Sequence, residues 1–198
     1  MTKANKRNIK EIIYNKAAEY LFKYGLKGWN MDQLAAETGM AKNTLYKIIS
    51  YKEEMIEEIF SKKVNKINND LNNIISNCNY SDENNYFIEL KNISTILLDT
   101  IKHTESRQAR EVFLEYPAVE KEVKEIRENI YSKIIDYLKK GVEKNFLKNN
   151  KNVKLYFELL QAFAFYYIKE KNNEVANVEI FNSVEILIDG IRGGVKWI

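Results

Sequence analysis

Proline is nearly absent from this sequence: one residue, Pro117, in 198, beside only seven glycines. Sandwiches and barrels need frequent Gly- and Pro-rich turns, so this scarcity argues against them and for long helices. A single cysteine, Cys78, excludes an intramolecular disulfide framework and any zinc site built on several thiolates. A single histidine, His103, removes most histidine-based catalytic and metal-binding arrangements. No run of about eighteen apolar residues occurs, and the opening segment MTKANKRNIKEII lacks an apolar leader core. These absences predict an all-α, soluble protein of the reducing cytoplasm, with no membrane partner, cofactor, metal or catalytic set.

What is present suits that expectation. Hydrophobic residues make up 45% and charged residues 30%, enough for a buried core and a solvated surface. The net charge of +3 decides nothing by itself, but its distribution does. Residues 1–55 hold ten Lys/Arg against six acids, whereas the remainder carries one acid in excess. A basic excess confined to a small module points to an anionic partner, with nucleic acid the first candidate.

Between Asn8 and Tyr24 the apolar residues Ile9, Ile12, Ile13, Ala17, Tyr20, Leu21 and Tyr24 recur every three or four positions, the period of an amphipathic helix. Gly25 is placed to end it. Asn30 is a candidate N-cap for a second helix with Met31, Leu34 and Ala35 inward. After Gly39 a third short helix, residues 42–49, turns Leu45, Ile48 and Ile49 inward, and Ser50 is a candidate cap for a fourth. Two short helices joined by a glycine-containing turn are a helix-turn-helix. The outward face of the third helix carries Lys42, Asn43, Thr44, Tyr46 and Lys47. All five can donate hydrogen bonds to phosphate oxygens or base edges, and none is acidic. Asn43 is the best candidate for base reading, because its amide can pair bidentately with adenine.

Farther on, the Asn-rich stretch 68–85 reads as a helix end and a loop. Helices are expected over 86–103, from Pro117 to near Gly141, over 153–171 and over 178–191. The segment Leu159–Ile168 is apolar except for Gln161, so that helix must be covered on both sides.

Residues 9–60 resemble the DNA-binding region of the TetR family of bacterial transcriptional regulators. The resemblance rests on Ile12-Ile13, Ala17-Ala18, Leu21-Phe22 and Gly25, then Asn30-Met31, Leu34-Ala35 and Gly39. It continues through Lys42-Asn43-Thr44-Leu45-Tyr46 and Lys52-Glu53 with Met55. Ala41 departs from the pattern by standing where the family usually has a small hydroxyl residue. The lost cap is worth about 1 kcal/mol. Asn43, Ile49 and Asn30 also depart, Asn30 keeping the capping ability and Ile49 the apolar bulk of the usual residue.

The resemblance implies a helix-turn-helix DNA-binding domain over residues 1–50 and an effector-binding and dimerisation domain over 51–198. Lys42, Asn43, Thr44, Tyr46 and Lys47 would lie at the major groove, Tyr46 and Lys52 would grip phosphates, and Asn30 would contact the backbone. The last two helices would pair with a second copy through Tyr156, Leu159, Leu160, Phe163, Tyr167, Phe181, Val184, Leu187, Ile188 and Ile191. Middle helices would enclose a small-molecule effector among Leu97, Ile101, His103, Phe113, Tyr116, Ile134, Tyr137, Phe163 and Tyr166. The implied function is a homodimeric repressor released from a pseudo-palindromic double-stranded DNA operator by an unknown effector. The alternatives are a DNA-binding regulator without a ligand and an all-helical enzyme with a cleft in residues 86–170. An activator is not separated from a repressor at this level.

Overall fold

The structure, a computed structural model, describes residues 3–49, 51–147, 150–170 and 176–192, with side chains described over 8–49, 51–147, 153–166 and 182–192. Among the described residues there are nine helices and no strand: α1 Lys3–Tyr24, α2 Met31–Glu37, α3 Lys42–Ile48, α4 Lys52–Asn77, α5 Glu83–Glu105, α6 Arg107–Glu115, α7 Pro117–Glu143, α8 Asn150–Glu170 and α9 Ala176–Arg192. The all-α expectation is met. Ser50 lies outside the described residues. None of the described helices is long and apolar enough to cross a membrane.

Two compact units emerge, one from Met1–Lys63 with Ser106–Lys124 and the other from Val64–Glu105 with Glu125–Ile198. In the first, Ile13, Ala17 and Leu21 of α1 are fully buried, as are Leu34 of α2, Leu45 of α3 and Met55 and Ile56 of α4. Three helices of at most nine residues, α2, α3 and α6, are too short to hold together alone. Each therefore depends on a neighbour, α2 and α6 packing on α1 and α3 packing on α2. Asn30 supplies the cap of α2: its Oδ1 accepts from the Asp32 and Gln33 amides at 3.0 and 2.9 Å, and Gln33 Oε1 accepts the Asn30 amide at 3.0 Å. This reciprocal capping box satisfies three otherwise orphaned donors. Ala41 stands at the N-cap of α3 with no side-chain hydrogen bond, the deficit read from the sequence.

Ser106 caps α6 by accepting from the Ala109 amide at 3.2 Å, and Pro117 opens α7, where its missing N–H costs nothing. The Asn-rich stretch holds the end of α4, a short loop over 78–82 and the start of α5. α4 continues to Asn77 because Ile67 and Leu71 are buried and Ile74 and Ile75 pack on the core of the second unit. That burial outweighs the weak helix propensity of asparagine.

The second unit is organised around α5, whose Tyr86, Leu90, Ile93, Leu97 and Ile101 are fully buried. Tyr86 and Tyr137 stack with ring centroids 4.8 Å apart and planes 5° from parallel. Tyr137 Oη donates to the Tyr86 carbonyl at 2.8 Å. Gly141 makes room for this pair, since a Cβ there would sit 2.1 Å from Tyr86 Oη. Lys91 pairs with Glu185 and Arg127 with Glu105, and Arg192 Nε lies 3.3 Å from Glu83 Oε1.

Candidate nucleic-acid interface

The α2–α3 connection depends on Gly39, whose φ of +66° lies in the left-handed region. L-residues adopt that region at a cost, and glycine does not. The Gly39 and Met40 amides donate to the Ala36 and Ala35 carbonyls at 3.1 and 2.9 Å, closing α2. Thr38 Oγ1 donates to the Leu34 carbonyl at 2.7 Å. The chain then enters α3, anchored by Leu45, which is fully buried.

This docking leaves Lys42, Asn43, Thr44, Tyr46 and Lys47 exposed on α3, Tyr46 at 47%. A rigid helix thus presents two ammonium groups, an amide and two hydroxyls on one solvent-facing surface without a carboxylate of its own. The neighbouring helix contributes one: Asp32 Oδ1 lies 2.6 Å from Lys42 Nζ and holds the lysine above its ordinary pKa, first by the hydrogen bond and then by charge. Asn30 is exposed and its side-chain oxygen is used as the α2 cap.

Lys52 is the first residue of α4. It is half-buried, its Nζ donates to the carbonyls of Leu26 at 2.8 Å and Trp29 at 3.4 Å, and it sits 4.1 Å from the centre of the Trp29 ring. Burial pushes its pKa below the ordinary lysine value. Sequence reasoning missed Asp32 and Trp29. The acid was visible four residues before Gly39's partner Ala36, but its pairing across the turn was not. A pocket of about 300 Å³ in the same unit is lined by Tyr20, Tyr24, Gly28, Trp29, Gln33, Ala36 and Glu37. None of the residues expected to line an effector site is among them.

No family model matches the sequence, and no curated protein does. Solved structures do. A protein from Mesorhizobium loti MAFF303099 described as a TetR-family transcriptional regulator superposes with a TM-score of 0.71 at 14% identity, covering 96% of this chain and 97% of that one. The ketosteroid transcriptional regulator KstR2 of Mycobacterium tuberculosis gives 0.63 at 14% identity, covering 96% of each chain. A TetR-family regulator from Cytophaga hutchinsonii gives 0.63 at 18% identity, covering 96% and 98%. The chain has the TetR-family fold. The similarity spans nearly the whole chain in each case, so it embraces both compact units and not the helix-turn-helix alone.

Within this TetR-family fold the expected effector residues fall in two places. Phe113 and Tyr116 belong to the first unit, where the Phe113 ring lies 5.5 Å from that of Phe60. Leu97, Ile101 and Ile134 are fully buried in the core of the second. Tyr137 is spent on its stack with Tyr86 and on Cys78, whose Sγ lies 3.2 Å from Tyr137 Oη. His103 is half-buried with Nδ1 2.8 Å from the Asp99 carbonyl and 3.1 Å from Asp99 Oδ1. Phe163 is half-buried, and Tyr166 is 53% exposed. Among the described residues no group of three His, Cys, Asp or Glu side chains is placed to hold a metal ion.

The expected pairing surface divides as well. Tyr156, Leu160, Val184 and Ile188 are at most 7% exposed and fill the chain's own core. Tyr156 Oη lies 2.6 Å from Ser94 Oγ of α5, which fixes it inward. These four are packed within the chain itself. Leu187 and Ile191 pack against the same core, half-buried, and the side chains of Tyr167 and Phe181 lie outside the described residues. The outward face of α8 is a different stripe: Leu155, Leu159, Ala162 and Tyr166, all exposed. Their spacing of four, three and four puts them in one line along the helix. Ile186 of α9 is exposed at 64%.

Proposed function

We propose that the chain is a ligand-responsive DNA-binding transcriptional regulator, a repressor released from its operator by a small-molecule effector. In this reading residues 1–50 form the DNA-binding domain and residues 51–198 the effector-binding and dimerisation domain. The observation that carries it is the exposed, acid-free face of α3 behind the Gly39 turn, in a chain with the TetR-family fold. Lys42, Asn43, Thr44, Tyr46 and Lys47 lie at the major groove, where the Asn43 amide reads base edges, Tyr46 grips phosphate and the two lysines neutralise it.

One such helix reads only a few base pairs, so two copies are needed. The Leu155–Leu159–Ala162–Tyr166 stripe supplies the surface for the second copy, since an apolar line of this spacing seats an antiparallel or crossed mate. A twofold dimer sets its recognition helices about one DNA turn, ~34 Å, or a multiple of it apart, on a pseudo-palindrome. The effector half of the reading is supported by the fold. Such a ligand weakens DNA binding only to the extent that it binds the DNA-free state more tightly.

The test is fluorescence anisotropy on a labelled duplex taken from immediately upstream of the gene itself. Tyr46→Phe and Lys47→Gln are expected to weaken binding while the dimer mass in native mass spectrometry stays unchanged. Variants that bind as tightly as the parent throughout a salt titration overturn the interface.

A further inference from the structure

We propose that Lys52 is a positioning residue that fixes the entry of α2 by clasping the Leu26 and Trp29 carbonyls, and that it makes no phosphate contact. The proposal rests on the DNA-binding reading above. An ammonium group has three N–H donors and no acceptor. Two are directed at the Leu26 and Trp29 carbonyls, and the indole of Trp29 covers the group 4.1 Å away. The partners form the segment that leads into α2: Trp29 immediately precedes the cap residue Asn30.

A seven-residue helix has almost no intrinsic stability, so its direction is set by its ends. At the start of α2, the capping box orders the backbone from Asn30 to Gln33, and Lys52 fastens the residue before that box to the first turn of α4. Swinging Nζ out to a phosphate would leave two carbonyls without this donor and uncover the indole. Burial already lowers the lysine's pKa, so the ammonium is retained there by its carbonyl and ring partners. Any shift of the first turn of α4 is thereby delivered to α2, and with it to α3 across the Gly39 turn.

A phosphate contact and a positioning clasp differ in salt dependence. Removing a phosphate-neutralising cation flattens the slope of log affinity against log salt by about one, whereas misplacing a helix lowers affinity without that flattening. Lys52→Met, Lys52→Arg and Lys47→Gln are compared with the parent on the upstream duplex. In parallel, the proteins carry 5-fluorotryptophan, with Trp29 assigned through Trp29→Phe, for fluorine NMR without DNA.

Lys52→Met is expected to lose affinity severalfold with an unchanged salt slope and to shift the Trp29 fluorine resonance. Lys52→Arg restores both, because a guanidinium can donate to both carbonyls and stack on the indole. Lys47→Gln flattens the slope and leaves the Trp29 resonance in place. A flattened slope for Lys52→Met, or an unmoved Trp29 resonance, overturns the proposal. Should parent and Lys47→Gln alike fail to bind duplex, the DNA-binding reading falls. Hydrogen exchange of the Asp32–Leu34 amides, faster in folded Lys52→Met and restored in Lys52→Arg, then decides the clasp alone; equal exchange in all three overturns it.

Discussion

Lys42 Nζ lies 2.6 Å from Asp32 Oδ1, so the first cation of α3 is tied to the first turn of α2. The pair closes the helix-turn-helix on its outer side, with both side chains more than half exposed. Exposed ion pairs of this kind add little to stability. Their effect on an anionic partner is larger, because Asp32 both neutralises Lys42 and repels phosphate.

Asp32→Asn is therefore expected to tighten duplex binding and to steepen its salt dependence by about one phosphate contact. The melting temperature changes little, with a small loss because a carboxylate is favourable in the first turn of a helix. Anisotropy at several salt concentrations checks this. Unchanged binding would place Lys42 away from the duplex.

The Tyr86–Tyr137 stack has no room for a methyl group at Gly141, where a Cβ would fall 2.1 Å from Tyr86 Oη and 3.1 Å from a Leu147 methyl. The Tyr86 ring has little room to retreat, because it is fully buried and packs on Tyr137, Phe87 and Phe146. Gly141→Ala is expected to destabilise the protein by about 1–3 kcal/mol, the range for overpacking a filled core. Urea unfolding followed by circular dichroism measures it, and a gain in stability, the ordinary result of Gly→Ala in an exposed helix, would contradict the packing.

What could be read from the sequence follows how far each residue's partners lie along the chain. The α2 cap was legible because Asn30 and Gln33 are three residues apart and the motif is local. So was the turn at Gly39, which needs a residue that tolerates positive φ. The direction of Lys52 was not, since its acceptors are 26 and 23 residues away. Nor was the inward face of α8: Leu159 and Leu160 are equally apolar, and only docking on α5, through contacts such as Ser94 to Tyr156, decides which is buried. Tyr137 illustrates the same point, because an aromatic residue inside a helical core and one lining a cavity have identical spacing. The exposed stripe at 155, 159, 162 and 166 was legible in principle, being a local period.

Glu58 gives a pH test of the first unit. Partial burial disfavours its charge, but hydrogen bonds from Lys10, Lys62 and Tyr14 outweigh that and hold its carboxyl at about 2, against an ordinary 4.5. Lys10 Nζ and Lys62 Nζ each lie 2.7 Å from its oxygens. A pKa depressed on folding stabilises the native state above the unfolded value, and the contribution is lost as pH falls through the folded one. The stability difference between parent and Glu58→Gln is thus expected to be constant above about pH 5 and to shrink as the pH falls from 4.5 towards 2. Urea midpoints across that range test it, and a difference independent of pH would mean the ion pairs do not hold in solution.

Leu159 and Leu160 are adjacent yet separate two claims about α8. Leu160 is 1% exposed in the chain's own core, so Leu160→Ala should cost about 2–5 kcal/mol of stability in any assembly state. Leu159 is 37% exposed beside Leu155 and Tyr166. Leu159→Glu should leave the helical circular dichroism spectrum intact and convert the dimer to a single chain in native mass spectrometry. A carboxylate facing its own symmetry mate at an apolar interface meets both desolvation and like charge. Duplex affinity should fall with the dimer, since one recognition helix loses the half-site supplied by its mate. A Leu159→Glu protein that stays dimeric would move the interface off this stripe.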